Sequence, residues 1–418
     1  MVSGIPSSSY RRLAADTVTI QFGRALQLLL NIATFVLLAR GLGPIGFGLF
    51  STIVAVINTG YALADLGFGQ LATRAIAQHN TREIVAIQAG MPLLYAAATA
   101  VLAVSGLISW FLTRDGTAVL FSATCLGLSY LHVQARVCVE RGFWLGDLQV
   151  GRATLIDVVA AAARLFGVAA VWIAGGRSMT LFSTGIAVAG LLGLWVIHQW
   201  LTYPRTQARP AAGDRRTTVI EAAPFALSSL AWNAFAEMPK MLLAPFAGPA
   251  AVGQLGAASR LLNAAQLPLQ SLLNVMTPRL FASARAPTDP QSPKSRTFLR
   301  SMALVTGSGA LVGAALAVCA PVVPLVLGSA YEPSVPVLRI LSVSLPFQAL
   351  AFGTGDWLGG MGRQRARVAI MVFVVALAVP VLILGCAHGA PGAALGYTIL
   401  TGTMALVTTV VCHRLMEK

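Results

Sequence analysis

The chain alternates long apolar runs with short polar ones, and the apolar runs have the length of membrane crossings. A helix needs about 20 apolar residues to traverse a hydrocarbon core of ~30 Å. Runs of that order fall at 18–38, 47–66, 88–112, 118–139, 150–174, 178–200, 222–244, 250–275, 302–327, 335–357, 368–387 and 392–412. The pattern predicts an all-α integral membrane protein of about twelve transmembrane helices, since only helices or closed barrels satisfy their own backbone in lipid. Six fall in each half: an N-terminal lobe over 1–203, a cytoplasmic inter-lobe linker over 204–220 and a C-terminal lobe over 221–418.

The two halves share a local pattern. FVLLARGLGPIGFGLF at 35–50 aligns with KMLLAPFAGPAAVGQL at 240–255, placing Gly43-Pro44 on Gly248-Pro249 and Gly48 on Gly253 at an offset of 205 residues. The same offset puts Arg74 on Arg279 and Ala77 on Ala282. Duplicated bundles with a site between the halves are a common transporter plan, so two pseudo-symmetric six-helix lobes are expected.

Polar residues inside the apolar runs are not scattered. At about 100° per residue, Arg260, Asn263, Gln266, Gln270 and Asn274 of the eighth span share an arc of about 120°. Gln21, Arg24, Gln27 and Asn31 line up on the first span, Ser51, Asn58, Tyr61 and Asp65 on the second, and Ser229, Asn233, Glu237 and Lys240 on the seventh. Such stripes cost kilocalories in lipid and are expected to face water, in a cavity between the lobes. Arg24, Gln27, Asn31, Asn58, Asn233, Lys240, Arg260, Asn263, Gln266 and Gln270 are the candidate cavity residues. Asp65, Asp157 and Glu237 are candidates for cation coupling or gating, although Asp65 also has a structural reading as an arginine partner. Glu237 and Lys240 flank Pro239 three residues apart, so an intrahelical ion pair competes with an anion-attracting role for the lysine. Arg24 lies close enough to the end of its span to snorkel.

Composition agrees with the pattern. Hydrophobic residues make up 56% and charged residues 10%, with mean hydropathy +0.76, which excludes an ordinary soluble domain. The net charge of +15 would suit nucleic acid, but its placement argues for a bilayer. With a cytoplasmic N-terminus, 21 of the 29 basic residues fall in inner segments and only Arg40, Arg114 and Arg177 in outer ones. That asymmetry is the positive-inside rule, and it places both termini in the cytoplasm, with no nucleic-acid partner expected. The polar N-terminal 13 residues and the long first run indicate an uncleaved anchor rather than a cleaved signal. A Pro/Ser-rich basic loop at 282–300 is also cytoplasmic, and stretches after Gln70 and Thr277 begin as amphipathic helices with Arg74 and Arg279 toward headgroups.

Catalytic and metal signals are weak. The five cysteines stand singly, without a CxxC or a histidine at ligand spacing, and are expected as small apolar packers, so no metal or cofactor is implied. Gly41-Leu42-Gly43-Pro44-Ile45-Gly46 spells GxGxxG with Asp65 downstream. It follows an apolar helical run rather than a strand and carries proline in the would-be phosphate turn, so it reads as a tight outer hairpin. No DxD or large outer loop accompanies it, which points away from an enzyme and toward transport.

LLARGLGPIGFGLFSTIVAVINTGYALADLGFGQLATRAIAQ (37–78) and LGSAYEPSVPVLRILSVSLPFQAL (327–350) resemble the polysaccharide-biosynthesis flippases, the Wzx type within the multidrug/oligosaccharidyl-lipid/polysaccharide exporter superfamily. The resemblance implies alternating-access transfer of an undecaprenyl-diphosphate-linked oligosaccharide from the inner to the outer leaflet of the bacterial cytoplasmic membrane. It leaves the pathway open among O-antigen, capsule and exopolysaccharide. It also implies membrane lipids and a glycan polymerase or chain-length machinery as partners, with coupling to a proton or sodium gradient. A drug or cation antiporter of the same superfamily is the first alternative, and a membrane glycan-processing enzyme the second.

Overall fold

The structure is a computed structural model that describes residues 7–113, 116–204, 214–285 and 294–416; side chains at 7–20, 214–219, 221, 224–225, 228, 274–275, 277–285, 294–297 and 364 are not described. Asn274, Arg279 and most of the expected loop at 282–300 thus lie outside the described side chains. The described residues are almost wholly helical and form no strand. Ten helices are long and apolar enough to cross a membrane, which makes this a multi-pass membrane protein.

The difference between ten helices and about twelve expected segments lies in two of them. Helix α1 (Ser7–Asp65) has 59 residues and carries two of the expected segments. Such a helix would be about 90 Å long if straight. It breaks at Gly43, with φ 63° and ψ 178°, a conformation that costs other residues a steric penalty. Pro44 follows, with its φ preset for the first turn of the next arm and no N–H to leave unpaired.

Seven α-helices and one π-helical stretch separate this break from its repeat. The short α2 (Phe68–Ala77) and α3 (Thr81–Ala89) lead to α4 (Met91–Thr113) and α5 (Thr117–Gly127). A single π-helical stretch, Leu128–Val133, joins α5 to α6 (Gln134–Gly146), and α7 (Val150–Ile173) and α8 (Met179–Trp200) follow. Helix α9 (Asp214–Arg285) then repeats the device: 72 residues broken at Gly248, φ 74° and ψ 176°, with Pro249 next. The remaining helices are α10 (Lys294–Cys319), α11 (Val323–Leu327), α12 (Ser334–Ser342), α13 (Ser344–Gly360), α14 (Gln364–Cys386) and α15 (Gly389–Met416).

Two compact units result, one of Met1–Leu42 with Ile53–Asn233 and one of Gly43–Thr52 with Ala234–Lys418. The division falls within α9, whose start at Asp214 lies inside the segment expected as a linker.

In the first unit α7 and α8 meet through glycine: a Cβ at Gly167 would collide with the backbone carbonyl of Gly185, and one at Gly185 with that of Gly167. Helix α2 turns Phe68, Leu71, Ala72, Ala75 and Ile76 into a cluster with Ala135, Val139 and Phe143 of α6. Its amphipathic pattern therefore serves the protein interior, and Arg74 forms an ion pair with Glu83 of α3. In the second unit Phe298 of α10 packs edge-on against Trp357 of α13, with centroids 5.2 Å apart. Thr354 of α13 donates to Thr408 of α15 at 2.8 Å. Threonines elsewhere donate back one turn, as Thr52 does to the Gly48 carbonyl at 3.0 Å, so buried hydroxyls are met within their own helix.

The second unit also contains a reciprocal contact between the repeated segments. A Cβ at Gly48 would strike the Pro249 carbonyl, and one at Gly253 would strike the Pro44 carbonyl. The residues that aligned at an offset of 205 thus contact each other as a matched pair, residue for residue, as an isologous interface requires.

The contact is testable. Gly43→Ala and Gly248→Ala should each lower stability by about 1–2 kcal/mol through the positive φ alone. Gly48→Leu and Gly253→Leu should lower the melting temperature further, because backbone rather than a movable side chain blocks the space. Their combined effect should fall short of the sum, since each disrupts the same contact. Full additivity in the melting of purified protein would contradict a shared contact.

Candidate functional site

The expected polar faces are recovered within each unit. In the first, Arg24 is exposed on α1, and Gln27 and Asn31 are half-buried on the same helix. Asp157 of α7 accepts from Arg141 Nη1 at 3.5 Å and stands in the fields of Arg164 and Arg24 as well. Three arginines thus converge on one carboxylate. Arg164 donates to Gln134 Oε1 at 3.1 Å and lies over the Tyr130 ring at 5.7 Å. Asp157 and Arg164, which share a face of their helix, are therefore held by different partners on α6 and the π-helical stretch. Asn233 Nδ2 donates to the Asn58 carbonyl at 3.2 Å, bringing two candidate residues from different helices together.

Asp65 is buried at the sharp corner between α1 and α2, where Leu66 and Gly67 adopt φ 52° and 73°. Its carboxylate faces the backbone N–H groups of Gly69 and Gly67 at the start of α2, beside Cys138. A negative charge there offsets the helix dipole. The arginine whose field it feels is Arg141, the same residue that bonds Asp157. Asp356 has the arginine partner expected of it, Arg367 Nη1 at 3.7 Å.

In the second unit Glu237 and Lys240 form an ion pair on α9, with side chains 14% and 13% exposed. Charge pairing of this kind leaves the lysine with little net field for an anion. The pair opens onto a recess of about 40 Å³ lined also by Ser259, Asn263, Leu341 and Tyr397. Arg260 is half-buried, its guanidinium carbon 6.0 Å from the Phe47 ring centroid, at the outer limit of a cation–π contact. Asn263 and Gln270 are exposed. Gln266 is tied down: its Nε2 donates to Gln348 Oε1 at 2.6 Å, and Gln348 Nε2 donates in turn to Ser344 Oγ at 2.7 Å.

Four functional neighbours escape the span-by-span reading: Gln134, Cys138, Arg141 and Gln348. The first three sit at i, i+4 and i+7, one face of a helix, and that periodicity was the available signal. Arg141 instead counts as an inner-segment charge in the sequence, because α6 continues as helix beyond the apolar run that ends at 139. Among the described residues no three His, Cys, Asp or Glu side chains stand close enough to hold a metal ion.

Solved structures bear out the all-helical, multi-pass fold. The chain is similar to a multidrug resistance MATE family transporter of the MOP superfamily in its inward-facing conformation, at 16% identity and TM-score 0.77 over 94% of each chain. The outward-facing conformation of such a transporter gives 18% identity and TM-score 0.66, over 96% of this chain and 94% of the other. A MOP superfamily transporter from Pyrococcus furiosus, described as having a binding pocket of reverse polarity, gives 16% and 0.66 over the same shares. No curated protein matches the sequence. Residues 13–283 match the polysaccharide biosynthesis protein family, and the chain belongs to that family.

The ion pair on α9 yields a stability test. Lys240→Gln removes the cation beside Glu237 in a poorly hydrated setting and should cost about 3 kcal/mol, whereas Glu237→Gln combined with Lys240→Gln should be close to neutral. Thermal unfolding of the two variants in nanodiscs checks this. Equal losses would mean that neither side chain depends on the other.

Proposed function

We infer that the protein is a flippase, carrying an undecaprenyl-diphosphate-linked oligosaccharide from the cytoplasmic to the outer leaflet of a bacterial inner membrane. Both termini would lie in the cytoplasm, where the basic segments are retained. Membership of the polysaccharide biosynthesis family supports the glycan class, and the transporter fold supports movement rather than bond chemistry. The observation that carries the reading is the face of α9, where Arg260, Asn263 and Gln270 stand half-buried or exposed on a helix long and apolar enough to cross a membrane.

The chemistry of the cargo matches that face. Sugar hydroxyls need donors and acceptors, which Asn and Gln amides supply together. A diphosphate favours guanidinium, whose planar fork gives charged bidentate bonds and stays protonated in any environment. Arg24 and Arg260 have that role in this reading, with Gln27, Asn31, Asn58, Asn233, Gln266 and Lys240 as polar lining. The prenyl tail can remain in acyl chains throughout. A proton or sodium gradient would act through the carboxylates Asp65, Asp157 and Glu237, and a glycan polymerase would take the product in the outer leaflet.

Two measurements test the reading. Arg260→Ala should abolish complementation of a flippase-deficient strain while the protein still reaches the membrane at normal level; wild-type glycan export by that variant would remove Arg260 from the mechanism. Reconstituted protein should translocate lipid-linked oligosaccharide and leave organic cations behind. Cation uptake without glycan transfer would replace flipping with the multidrug activity named for its structural neighbours.

A further inference from the structure

The first unit holds a groove of about 550 Å³ that none of the residues above accounts for. Its walls come from the start of α4, from α6 and from the end of α8, with Gln88, Tyr95, Arg136, Glu140, Leu194 and His198 among the lining. Helix α4 begins at Met91, α6 ends at Gly146 and α8 ends at Trp200, so the groove sits where apolar helices leave the hydrocarbon. That is headgroup depth. Exposed Trp195 and Trp200 on α8 mark the same level, as aromatic residues do at membrane interfaces.

Its chemistry is that of a site for an amphiphile. Arg136 forms an ion pair with Glu140, with side chains 12% and 3% exposed. The glutamate is turned inward, and its second oxygen accepts from the Tyr203 backbone N–H at 2.8 Å. Arg136 and Glu140 both line the groove; the carboxylate oxygens are each engaged by a protein donor, whereas the guanidinium has more N–H groups than this one contact uses. The floor is fastened: Gln88 donates to the Pro204 carbonyl at 3.2 Å, and the Trp144 indole to the Leu201 carbonyl at 2.7 Å. At the apolar end Tyr95 stacks on His132, which belongs to the π-helical stretch, the one irregular turn inside this helix. Leu93, Leu191 and Trp195 continue outward as exposed apolar surface on α4 and α8. Arg82 and Arg152, exposed at the starts of α3 and α7, add positive charge at this end of the unit.

We propose that this groove binds an anionic glycerophospholipid of the cytoplasmic leaflet, its phosphate on Arg136 and its acyl chains along the exposed faces of α4 and α8. The Arg136–Glu140 pair is neutral as a whole, so the attraction for an anion comes from the spare N–H donors of the guanidinium and from exposed Arg82 and Arg152 at the same end; together they fit a phosphodiester, and the adjoining apolar strip fits chains that a soluble phosphate lacks. The site is separate from the α9 face and independent of the cargo assigned to it.

The test uses full-length protein in nanodiscs of phosphatidylcholine mixed with phosphatidylglycerol, with lipids that stay bound on extraction counted by native mass spectrometry. Wild type should retain phosphatidylglycerol about fivefold over phosphatidylcholine, the ratio expected from one interfacial arginine. Arg136→Gln combined with Glu140→Gln removes both buried charges and keeps amide hydrogen bonding; it should bring the ratio to parity with the melting temperature retained. Ala89→Phe, which fills the groove with its charges intact, should do the same and stands in should the double variant fail to fold. Equal retention of the two lipids by wild type would overturn the proposal, as would a preference that survives in a folded double variant. Displacement of phosphatidylglycerol by inorganic phosphate alone would also overturn it, leaving a small-anion site.

Discussion

Lipid offers no hydrogen bonds, and the arrangement of this chain follows from that constraint. Backbone groups close their own bonds in helices, and hydroxyls such as Thr52 and Thr408 return theirs to a carbonyl one turn back. Longer polar side chains have two outlets. Gln266 and Gln348 satisfy each other and Ser344 inside the second unit, whereas Asn263 and Gln270 remain on its surface. The first outlet builds a scaffold, and the second leaves a face that needs water or a polar ligand. Since both kinds occur on α9 within two turns of each other, that helix is at once structural support and exposed polar surface.

Charge follows the same division. Glu237 with Lys240, Arg136 with Glu140 and Arg141 with Asp157 are matched within their units, as low-dielectric surroundings demand. Arg24 and Arg164 exceed the carboxylates near them, since one aspartate serves three guanidinium groups. An arginine excess is tolerable in a membrane protein only where solvent or an anion can reach it. The diphosphate of the cargo proposed above is such an anion, which would join the electrostatics of the first unit to the function inferred for the whole chain.

The all-helical, multi-pass fold was legible in the sequence because apolar length is read directly from it. The twin breaks at Gly43 and Gly248 were legible too, since the Gly-Pro pair recurs at a fixed offset and glycine alone accepts the required φ without strain. Which polar residues pair was not. Lys240 looks equally able to face an anion or Glu237, and only side-chain geometry closes that choice. Arg141 was assigned by its distance from an apolar run, but α6 extends past the hydrocarbon and carries it into contact with Asp157. Gln348 stands as a lone polar residue in an apolar segment, and its partner Gln266 lies 82 positions away, beyond any local pattern.

The junctions at Gly43 and Gly248 have no slack in length. A single non-helical residue separates the arms of α1 and of α9, so an inserted or deleted residue has nowhere to be absorbed. It would turn the downstream arm by about 100° about its axis. In α9 that rotation would swing Arg260 and Gln270 a quarter-turn off their present bearing and put a serine in place of one and a leucine in place of the other. The connection from α7 to α8, by contrast, runs through 174–178 and can change size at little cost. Natural variation in chain length should therefore collect at such loops and avoid the two glycines, whatever glycan a given relative carries.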